Sequence, residues 1–193
     1  MARKIFFATG NQGKIEEMRP LFEERDLELV QVKADVPEID AMDVEEVAEQ
    51  KVQDSFQRAV ENDEIGEDDL LIVEDTGFYV KGLNGFPGAE AAFFAGTAGA
   101  EKLFNLLEYG EDRSAYFKTA IAYMKDGETK IFTGEMHGKV PEEKRGESHP
   151  HLPYNSYFIP EDQEKSLAEN SMASHEDFHR TKAVEKFLGW FEE

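Results

Sequence analysis

The sequence has 193 residues, with 42 acidic and 21 basic side chains, a formal net charge of −21 and no cysteine. The lack of cysteine excludes disulfides and thiolate metal sites, and the acidic excess argues against DNA or RNA as a partner, because like charges repel. No apolar run is long enough to span a membrane and no signal-peptide pattern opens the chain, so we expect a cytoplasmic protein with a single domain over residues 1–193. The acidic residues are spread along the chain, as in the solvated coat of halophile proteins, which makes a high-salt cytoplasm a hypothesis.

The first elements in chain order are typical of an α/β protein. A short apolar strand is predicted over 4–8, a helix over about 14–25 and a weak strand over 27–31. Apolar residues then recur at helical spacing over 43–59, and a buried strand is predicted over 70–74. A further strand at 79–80, a turn-rich loop over 83–88 and a short helix over 100–107 follow.

The second half of the chain predicts a hairpin and a closing helix. Residues 115–124 and 130–139 alternate in polarity on either side of the turn Asp126-Gly127. A loop over 141–156 leads to a short strand at 157–159, and an amphipathic helix covers about 178–191. Because strands alternate with helices at both ends and the hairpin lies between them, we expect an α/β fold with a mixed sheet.

Two adjacent carboxylates at the end of a buried strand form the first candidate site. Glu74 and Asp75 directly follow the apolar run at 70–73, and the hydroxyl of Thr76 comes next. Open α/β sheets bind ligands at strand ends, and Mg²⁺ is commonly held there by one or two carboxylates together with substrate phosphates. We therefore predict that Glu74 and Asp75 bind Mg²⁺, with an ordinary solvated strand end as the open alternative.

A glycine-containing loop between the first strand and the first helix is the second candidate site. It consists of Thr9, Gly10, Asn11, Gln12, Gly13 and Lys14. Backbone N–H groups and the helix N-terminus attract an anion there, and the lysine adds a positive charge. The spacing is not that of a P-loop, so an ordinary βα turn stays open. Together with the paired carboxylates, the loop predicts a metal-assisted reaction on a phosphorylated substrate.

Several segments, in their order along the chain, resemble the inosine triphosphate pyrophosphatase family. They are FATGNQGKIEE, PEI at 37–39, EEVAE at 45–49, VEDTGF with GLNGFPG, EDRSAYFKTAIAY, FIPE and HRTKAVEKF. The resemblance implies an elongated fold with two lobes around a central cleft, and usually a homodimer. It also implies Mg²⁺-dependent hydrolysis of deaminated purine nucleoside triphosphates to the monophosphate and pyrophosphate.

The resemblance assigns roles at the triphosphate end of the site. The family's phosphate-binding loop is matched by Thr9, Asn11 and Lys14, and Thr76 stands where the family has Ser or Thr. Glu46 matches a metal ligand carried by a helix, and Asp75 matches a metal-binding residue that is treated as the catalytic base. Lys51, five residues after Glu46, is interpreted as a solvated helix lysine. In this scheme a carboxylate activates water, and Lys14 stabilises the departing pyrophosphate.

The base-binding end departs from the family pattern, which reads G-F-G-Y-D-P-I-F over 151–158. By the resemblance, the base is bound by Leu152, Pro153, Tyr154, Asn155, Ser174, His179 and Arg180. Among these, Leu152 replaces an aromatic residue that stacks on the purine, Pro153 replaces a small residue, Asn155 replaces an aspartate and Ser174 replaces a lysine, while Phe178 replaces a serine. Either drift or a retuned base specificity accounts for this cluster of changes.

Three functions stay open at this point. The favoured one is the Mg²⁺-dependent pyrophosphatase for aberrant purine nucleotides, and the second is the same chemistry on another base. The third is a nucleotide-binding regulatory protein without turnover, although it would have no reason to keep Asp75, Glu46 and Lys14 together. Because Asn155 and Ser174 are neutral, we also expect a smaller preference for inosine or xanthosine triphosphate over common purine triphosphates than relatives show.

Overall fold

The computed structural model describes residues 3–33, 36–107, 112–147, 152–170 and 178–192. The strands are β1 (Arg3–Ala8), β2 (Leu27–Val32), β3 (Leu71–Val80), β4 (Pro87–Gly88), β5 (Ser114–Lys125), β6 (Glu128–Lys139) and β7 (Ile159–Pro160). The helices are α1 (Gln12–Glu23), α2 (Val44–Glu61), α3 (Ala91–Ala98), α4 (Lys102–Leu106) and α5 (His179–Phe191). Short 3-10 helices cover Lys81–Leu83 and Asn155–Tyr157. No helix among these residues is long and apolar enough to cross a membrane.

One mixed sheet organises the described part of the chain. Its strand order is β2-β1-β3-β5-β6-β7, with β4 paired to β3. The β1 strand is parallel to both β2 and β3, whereas β5 is antiparallel to both β3 and β6. The predicted mixed α/β fold and the predicted hairpin across Asp126-Gly127 are therefore confirmed. The division into two lobes stays a prediction.

Helices cover both faces of the sheet, which explains the unbroken apolar run at the start of β3. The side chain of Ile72 joins the core beneath α1 and α5, and those of Leu71 and Val73 join the core beneath α2. A third cluster lies at the far end of the sheet, where Phe78 of β3 packs with Phe117 of β5 and residues of α3 and α4. Residues that alternate along one strand thus face different helices, and both sets must be apolar.

Helix α5 begins in close contact with the sheet, at a glycine of β6. A Cβ atom added at Gly134 would lie 2.1 Å from the carbonyl oxygen of His179 and 2.6 Å from the amide nitrogen of Ala183. Any side chain at position 134 would therefore push the first turn of α5 away from the sheet. Because position 134 is a glycine, the first turn of α5 can approach the sheet closely, and this approach determines where His179 and Arg180 lie.

The structure differs from the predicted elements in four places. The strands predicted at 70–74 and 79–80 form one strand, β3, because backbone pairing with β5 continues through Glu74 and Asp75 to Val80. Helix α3 was not predicted, since its sequence AAFFAGTA has no polar face to give it a period. The strand predicted at 157–159 is the end of a 3-10 helix followed by β7, and α1 begins at Gln12, two residues earlier than expected.

Candidate active site

The predicted phosphate loop is a capped helix start, exposed between β1 and α1. The side chain of Asn11 accepts a hydrogen bond from the amide of Gly13 at 2.9 Å, and the amide of Asn11 donates to Thr9 Oγ1 at 3.1 Å. This cap explains why the helix begins before Lys14. The loop therefore presents the N-terminus of α1, with its partial positive charge, on the surface beside the end of β1.

Glu74 lies behind this loop and is held by two cations from distant segments. Its side chain is fully buried, and it forms ion pairs with Lys14 and with Arg180, whose Nε lies 3.2 Å from Oε1. Lys14 Nζ also donates to the main-chain oxygen of Glu74 at 3.2 Å, and Arg180 pairs in addition with Glu17. Burial alone would raise the pKa of Glu74, but the two cations lower it well below its usual value. Glu74 is therefore an ionised carboxylate: its Oε1 atom pairs with Arg180 and Thr76, and its Oε2 atom, which accepts no hydrogen bond in the described structure, is balanced by the charge of Lys14.

Asp75, the next residue along β3, lies in a different environment. It is 9% exposed, and its Oδ2 atom has no hydrogen-bond partner among the described residues. Burial raises its pKa to about 6, a shift that Lys14 opposes and Glu74 reinforces. A buried carboxylate oxygen without a partner is costly to maintain unless a ligand uses it. Near neutral pH such a group is ionised and is basic enough to accept a proton.

A chain of hydroxyl groups leads from Glu74 towards α5. Thr76 Oγ1 hydrogen-bonds to Glu74 Oε1 and lies 2.5 Å from Thr119 Oγ1 on β5. Thr119 Oγ1 lies 2.6 Å from His179 Nδ1, at the first residue of α5. Thr119 is fully buried. The sequence gives no sign that it belongs to the site, because a threonine is an ordinary β-branched residue within a strand.

Lys51 and Glu38 form an ion pair near Asp75. Lys51 lowers the pKa of Asp75, and Glu38 raises it. The side chain of Lys51 is 17% exposed, so it is less solvated than the sequence indicated. Glu46 lies exposed in the first turn of α2. Within the described ranges, no group of three or more His, Cys, Asp or Glu side chains is arranged to hold a metal ion.

One cavity of about 810 Å³ brings both ends of the predicted site together. From the phosphate end it is lined by Asn11, Lys14, Asp75 and Thr76, and from the base end by Leu152, Pro153, Tyr154, Asn155 and His179, while Arg180 lines the cavity and also pairs with Glu74. The other predicted residues of the described chain, which are Thr9, Gly10, Gln12, Gly13, Glu46 and Glu74, are not part of that lining. Ser174 lies outside the described residues.

The mouth of the cavity at the base end is formed by apolar side chains and is partly exposed. Tyr154 is buried, its ring centroid lies 4.8 Å from that of Phe78, and its hydroxyl donates to the main-chain oxygen of Ala91 at 2.8 Å. It therefore anchors its loop to the start of α3. Leu152 is 46% exposed, and Phe93 of α3 is 69% exposed, on the same cavity. Phe93 was missed because its helix was not predicted.

Fold and site together define a class of protein: an α/β protein in which one cavity joins a helix N-terminus and a lysine to a buried carboxylate, with an apolar mouth opposite. The chain belongs to the Ham1 family, whose family model matches residues 5–190. The family resemblance seen in the sequence motifs is thereby confirmed.

Similar proteins cover nearly the whole chain. A dITP/XTP pyrophosphatase of Thermococcus kodakarensis is 36% identical over 191 residues, covering 98% of each chain. One of Pyrococcus horikoshii is 35% identical over 188 residues, covering 97% of this chain and 96% of the relative. The structure of the Staphylococcus aureus Ham1 protein matches with a TM-score of 0.81 at 29% identity, over 98% of each chain.

Proposed function

We propose that this protein is a nucleoside triphosphate pyrophosphatase, which hydrolyses purine nucleoside triphosphates of the inosine and xanthosine type to the monophosphate and pyrophosphate. The names of the relatives at 35 to 36% identity support this activity. The observation that carries the proposal is the shared cavity, in which Lys14 and Asp75 lie together with an apolar mouth of the right chemistry for a base.

In this function the phosphate loop binds the phosphates that leave as pyrophosphate. The N-terminus of α1 and Lys14 supply positive charge there, and Glu74 keeps both Lys14 and Arg180 oriented. Asp75 orients the attacking water and accepts its proton through one of its two carboxylate oxygens. This assignment gives the two adjacent carboxylates different roles, because their surroundings move their pKa values in opposite directions.

The charges around the site support the need for a divalent cation. In the described chain the side chains that interact around Glu74 and Asp75 are the cations Lys14, Lys51 and Arg180 and the carboxylates Glu17, Glu38, Glu74 and Asp75. The carboxylates outnumber the cations before any phosphate enters, so the side chains alone cannot neutralise a bound triphosphate.

We propose Mg²⁺ as that cation, held by Asp75 and Glu46 together with the phosphates. The residues fit such an ion, since Asp75 has a free buried oxygen and Mg²⁺ commonly takes one or two carboxylates plus substrate phosphates rather than a complete protein cage. When bound, it would supply charge neutralisation at the phosphates. Glu74 was predicted as a ligand too, and its pairing with two cations supports a positioning role instead.

Pyrophosphate release from a panel of triphosphates tests the function. The panel contains inosine, xanthosine, guanosine, adenosine and cytidine triphosphates and inorganic tripolyphosphate, with and without Mg²⁺ and at low and high salt. We expect Mg²⁺-dependent release of pyrophosphate, with the purine triphosphates preferred. Tight binding without any release would instead support a regulatory protein. A preference for a pyrimidine triphosphate would support the same chemistry on another base. This is the second candidate function, which the unusual Leu152 and Asn155 favour.

The metal assignment has its own test. Glu46→Gln should lower activity, and excess Mg²⁺ should partly restore it, because a weakened ligand set is compensated by mass action. The exposed and uninvolved Glu49→Gln on the same helix is the matched control. Activity of Glu46→Gln equal to that of the control would remove Glu46 from the metal site.

We also propose a cytoplasmic homodimer, as the family resemblance implies, and light scattering after size exclusion measures its mass.

A further inference from the structure

The chain of hydrogen bonds from Glu74 to His179 has a direction that the chemistry of its members fixes. It runs from Glu74 Oε1 to Thr76 Oγ1, then over 2.5 Å to Thr119 Oγ1 and over 2.6 Å to His179 Nδ1. Each hydroxyl carries a single hydrogen, and an ionised carboxylate can only accept. The position of every proton in the chain therefore follows from the first member.

Glu74 is ionised, because Lys14 and Arg180 both pair with it. Thr76 must then donate its hydrogen to Glu74, and it can only accept from Thr119. Thr119 accordingly donates to Thr76, so its oxygen can only accept from the histidine. The proton of the His179 ring therefore lies on Nδ1, which donates to Thr119.

The other ring nitrogen, Nε2, is left as a hydrogen-bond acceptor. His179 is buried with its ring stacked on that of Phe117, at 5.2 Å between the ring centroids. Burial, with a smaller contribution from Arg180, lowers the pKa of His179 to about 3, so the ring is neutral at physiological pH. His179 lines the cavity, and no partner for Nε2 occurs among the described residues.

We propose that Thr119 is a positioning residue that holds His179 in the Nδ1–H form, so that Nε2 accepts a hydrogen bond from the ring N1–H of a 6-oxopurine. This inference rests on the proposed function, since it concerns the base of the same substrate. Hypoxanthine, xanthine and guanine carry a hydrogen on N1, whereas adenine presents an acceptor there. Two acceptors that face each other leave both unpaired, which a buried site penalises.

The consequence for specificity is opposite to the one that Asn155 and Ser174 suggest. Those two neutral residues predict weak discrimination, whereas an acceptor fixed at Nε2 predicts that inosine triphosphate is preferred over adenosine triphosphate by roughly ten- to a hundredfold in kcat/KM. Guanosine triphosphate shares the N1–H group, so this contact does not exclude it. Base selection is then determined by the hydroxyl chain rather than by charged side chains.

The first experiment measures the tautomer directly, without any reaction. In protein labelled with ¹⁵N-histidine, His179 is assigned by its absence in His179→Asn, and two-bond ¹H–¹⁵N couplings report which nitrogen carries the proton. We expect Nδ1–H in the wild type and in Thr119→Ser, which keeps the hydroxyl. Thr119→Val removes it, and the population of Nε2–H should rise. An Nε2–H ring in the wild type overturns the proposal.

The second experiment measures the ratio of kcat/KM for inosine and adenosine triphosphates. Thr119→Val should lower this ratio towards one, chiefly by raising KM for inosine triphosphate, with a smaller loss on tripolyphosphate, which has no base. Thr119→Ser should restore the ratio. Ser55→Ala is the matched control. Ser55 carries an equally buried hydroxyl group on α2, but it takes no part in the hydrogen bonds between Glu74 and His179 and has no hydrogen-bond partner in the described structure.

An unchanged ratio in folded Thr119→Val overturns the specificity role. If no triphosphate were hydrolysed at all, the proposed function would fail, while the tautomer measurement would still decide whether Thr119 fixes the ring. The two failures are therefore distinguishable.

Discussion

The phosphate end and the base end of the cavity are built from opposite chemistry. At the phosphate end, Glu74 is buried between Lys14 and Arg180, and each of these charges is compensated by the others. At the base end, Leu152, Phe93 and Asn155 are neutral, and two of them are largely exposed. A change at the first end leaves an unpaired buried charge, whereas a change at the second end alters shape and hydrogen bonding only.

This contrast explains where the sequence follows the family pattern and where it departs from it. Replacing one member of an ion-pair cluster lowers stability and, in the proposed function, also weakens phosphate binding, so the residues of the cluster are constrained together. Leu152, Phe93 and Asn155 at the base end take part in no such ion pairs, so they can change one at a time. The comparison predicts that substitutions at the phosphate end have the larger effects, and four measurements test this.

The largest effect is expected for Asp75→Asn. The amide neither accepts the proton of water nor contributes charge to a cation, so kcat/KM for the preferred triphosphate should fall by a factor on the order of 10² to 10⁴. Steady-state pyrophosphate release measures this, and circular dichroism checks that the fold is kept. Retention of more than a tenth of the activity would remove Asp75 from the mechanism.

Lys14→Ala should raise KM for triphosphates by roughly tenfold or more, since it removes a charge-assisted contact to phosphate. It should also destabilise the protein, by less than the roughly 3 to 5 kcal/mol of an uncompensated buried charge, because Arg180 still faces Glu74. The double variant Lys14→Ala with Glu74→Gln should recover stability but not KM. Recovery of both would mean that Lys14 only balances Glu74.

Asp75 also predicts how stability depends on pH. Its pKa rises on folding from 3.8 to about 6, so the fold favours the protonated form. The stabilisation from this group is complete below about pH 4 and is lost as the pH rises through 6, by on the order of 3 kcal/mol. Urea unfolding in EDTA should therefore show Asp75→Asn gaining stability over the wild type as pH rises from 4 to 7.

Other groups that titrate in this range cancel in that comparison. His179 has a lowered pKa, so its contribution is present above pH 6.5 and is lost as the pH falls towards 3, equally in both proteins. A pH-independent difference between wild type and variant would contradict the environment described for Asp75.

The smallest effect is expected at the base end. Phe93→Ala should raise KM for purine triphosphates on the order of five- to tenfold, through lost stacking, and should leave KM for tripolyphosphate unchanged. Leu152→Phe in the same protein should recover part of the loss. Leu106→Ala is the control, because Leu106 is an exposed apolar residue on α4 that is not part of the cavity lining. A tripolyphosphate effect equal to the purine effect would exclude stacking.

The elements that could be predicted from sequence are those whose pattern is local. Helices α2 and α5 and the hairpin of β5 and β6 follow from periodicity and a turn signal, and the phosphate loop follows from its strand–loop–helix context. Helix α3 could not be predicted in this way because it is apolar all round. Its exposed Phe93 was therefore absent from the predicted base site.

The site residues that were missed depend on partners far away in sequence. Charged residues usually end a buried strand, yet β3 continues through Glu74 because Lys14 and Arg180 compensate its charge. Lys14 lies 60 residues before Glu74 in the sequence, and Arg180 lies 106 residues after it. Thr119 becomes informative only once its hydrogen-bond partners on β3 and α5 are known. No local rule contains these pairings, so the sequence predicts the residues of the phosphate loop and the two carboxylates but neither Thr119 nor the contacts among them.

The contact of Gly134 with the first turn of α5 makes the base end dependent on a residue that touches no ligand. His179 and Arg180 are carried by that turn, and Arg180 also reaches Glu74. A methyl group at position 134 would displace the turn, so it would disturb both ends of the cavity at once. In a saturation screen for altered base preference, position 134 should therefore yield almost no active variants, while positions 93, 152 and 155, which contact the cavity directly, should yield many. The evolvability of this enzyme is then limited by a backbone contact on the sheet rather than by the residues that face the substrate.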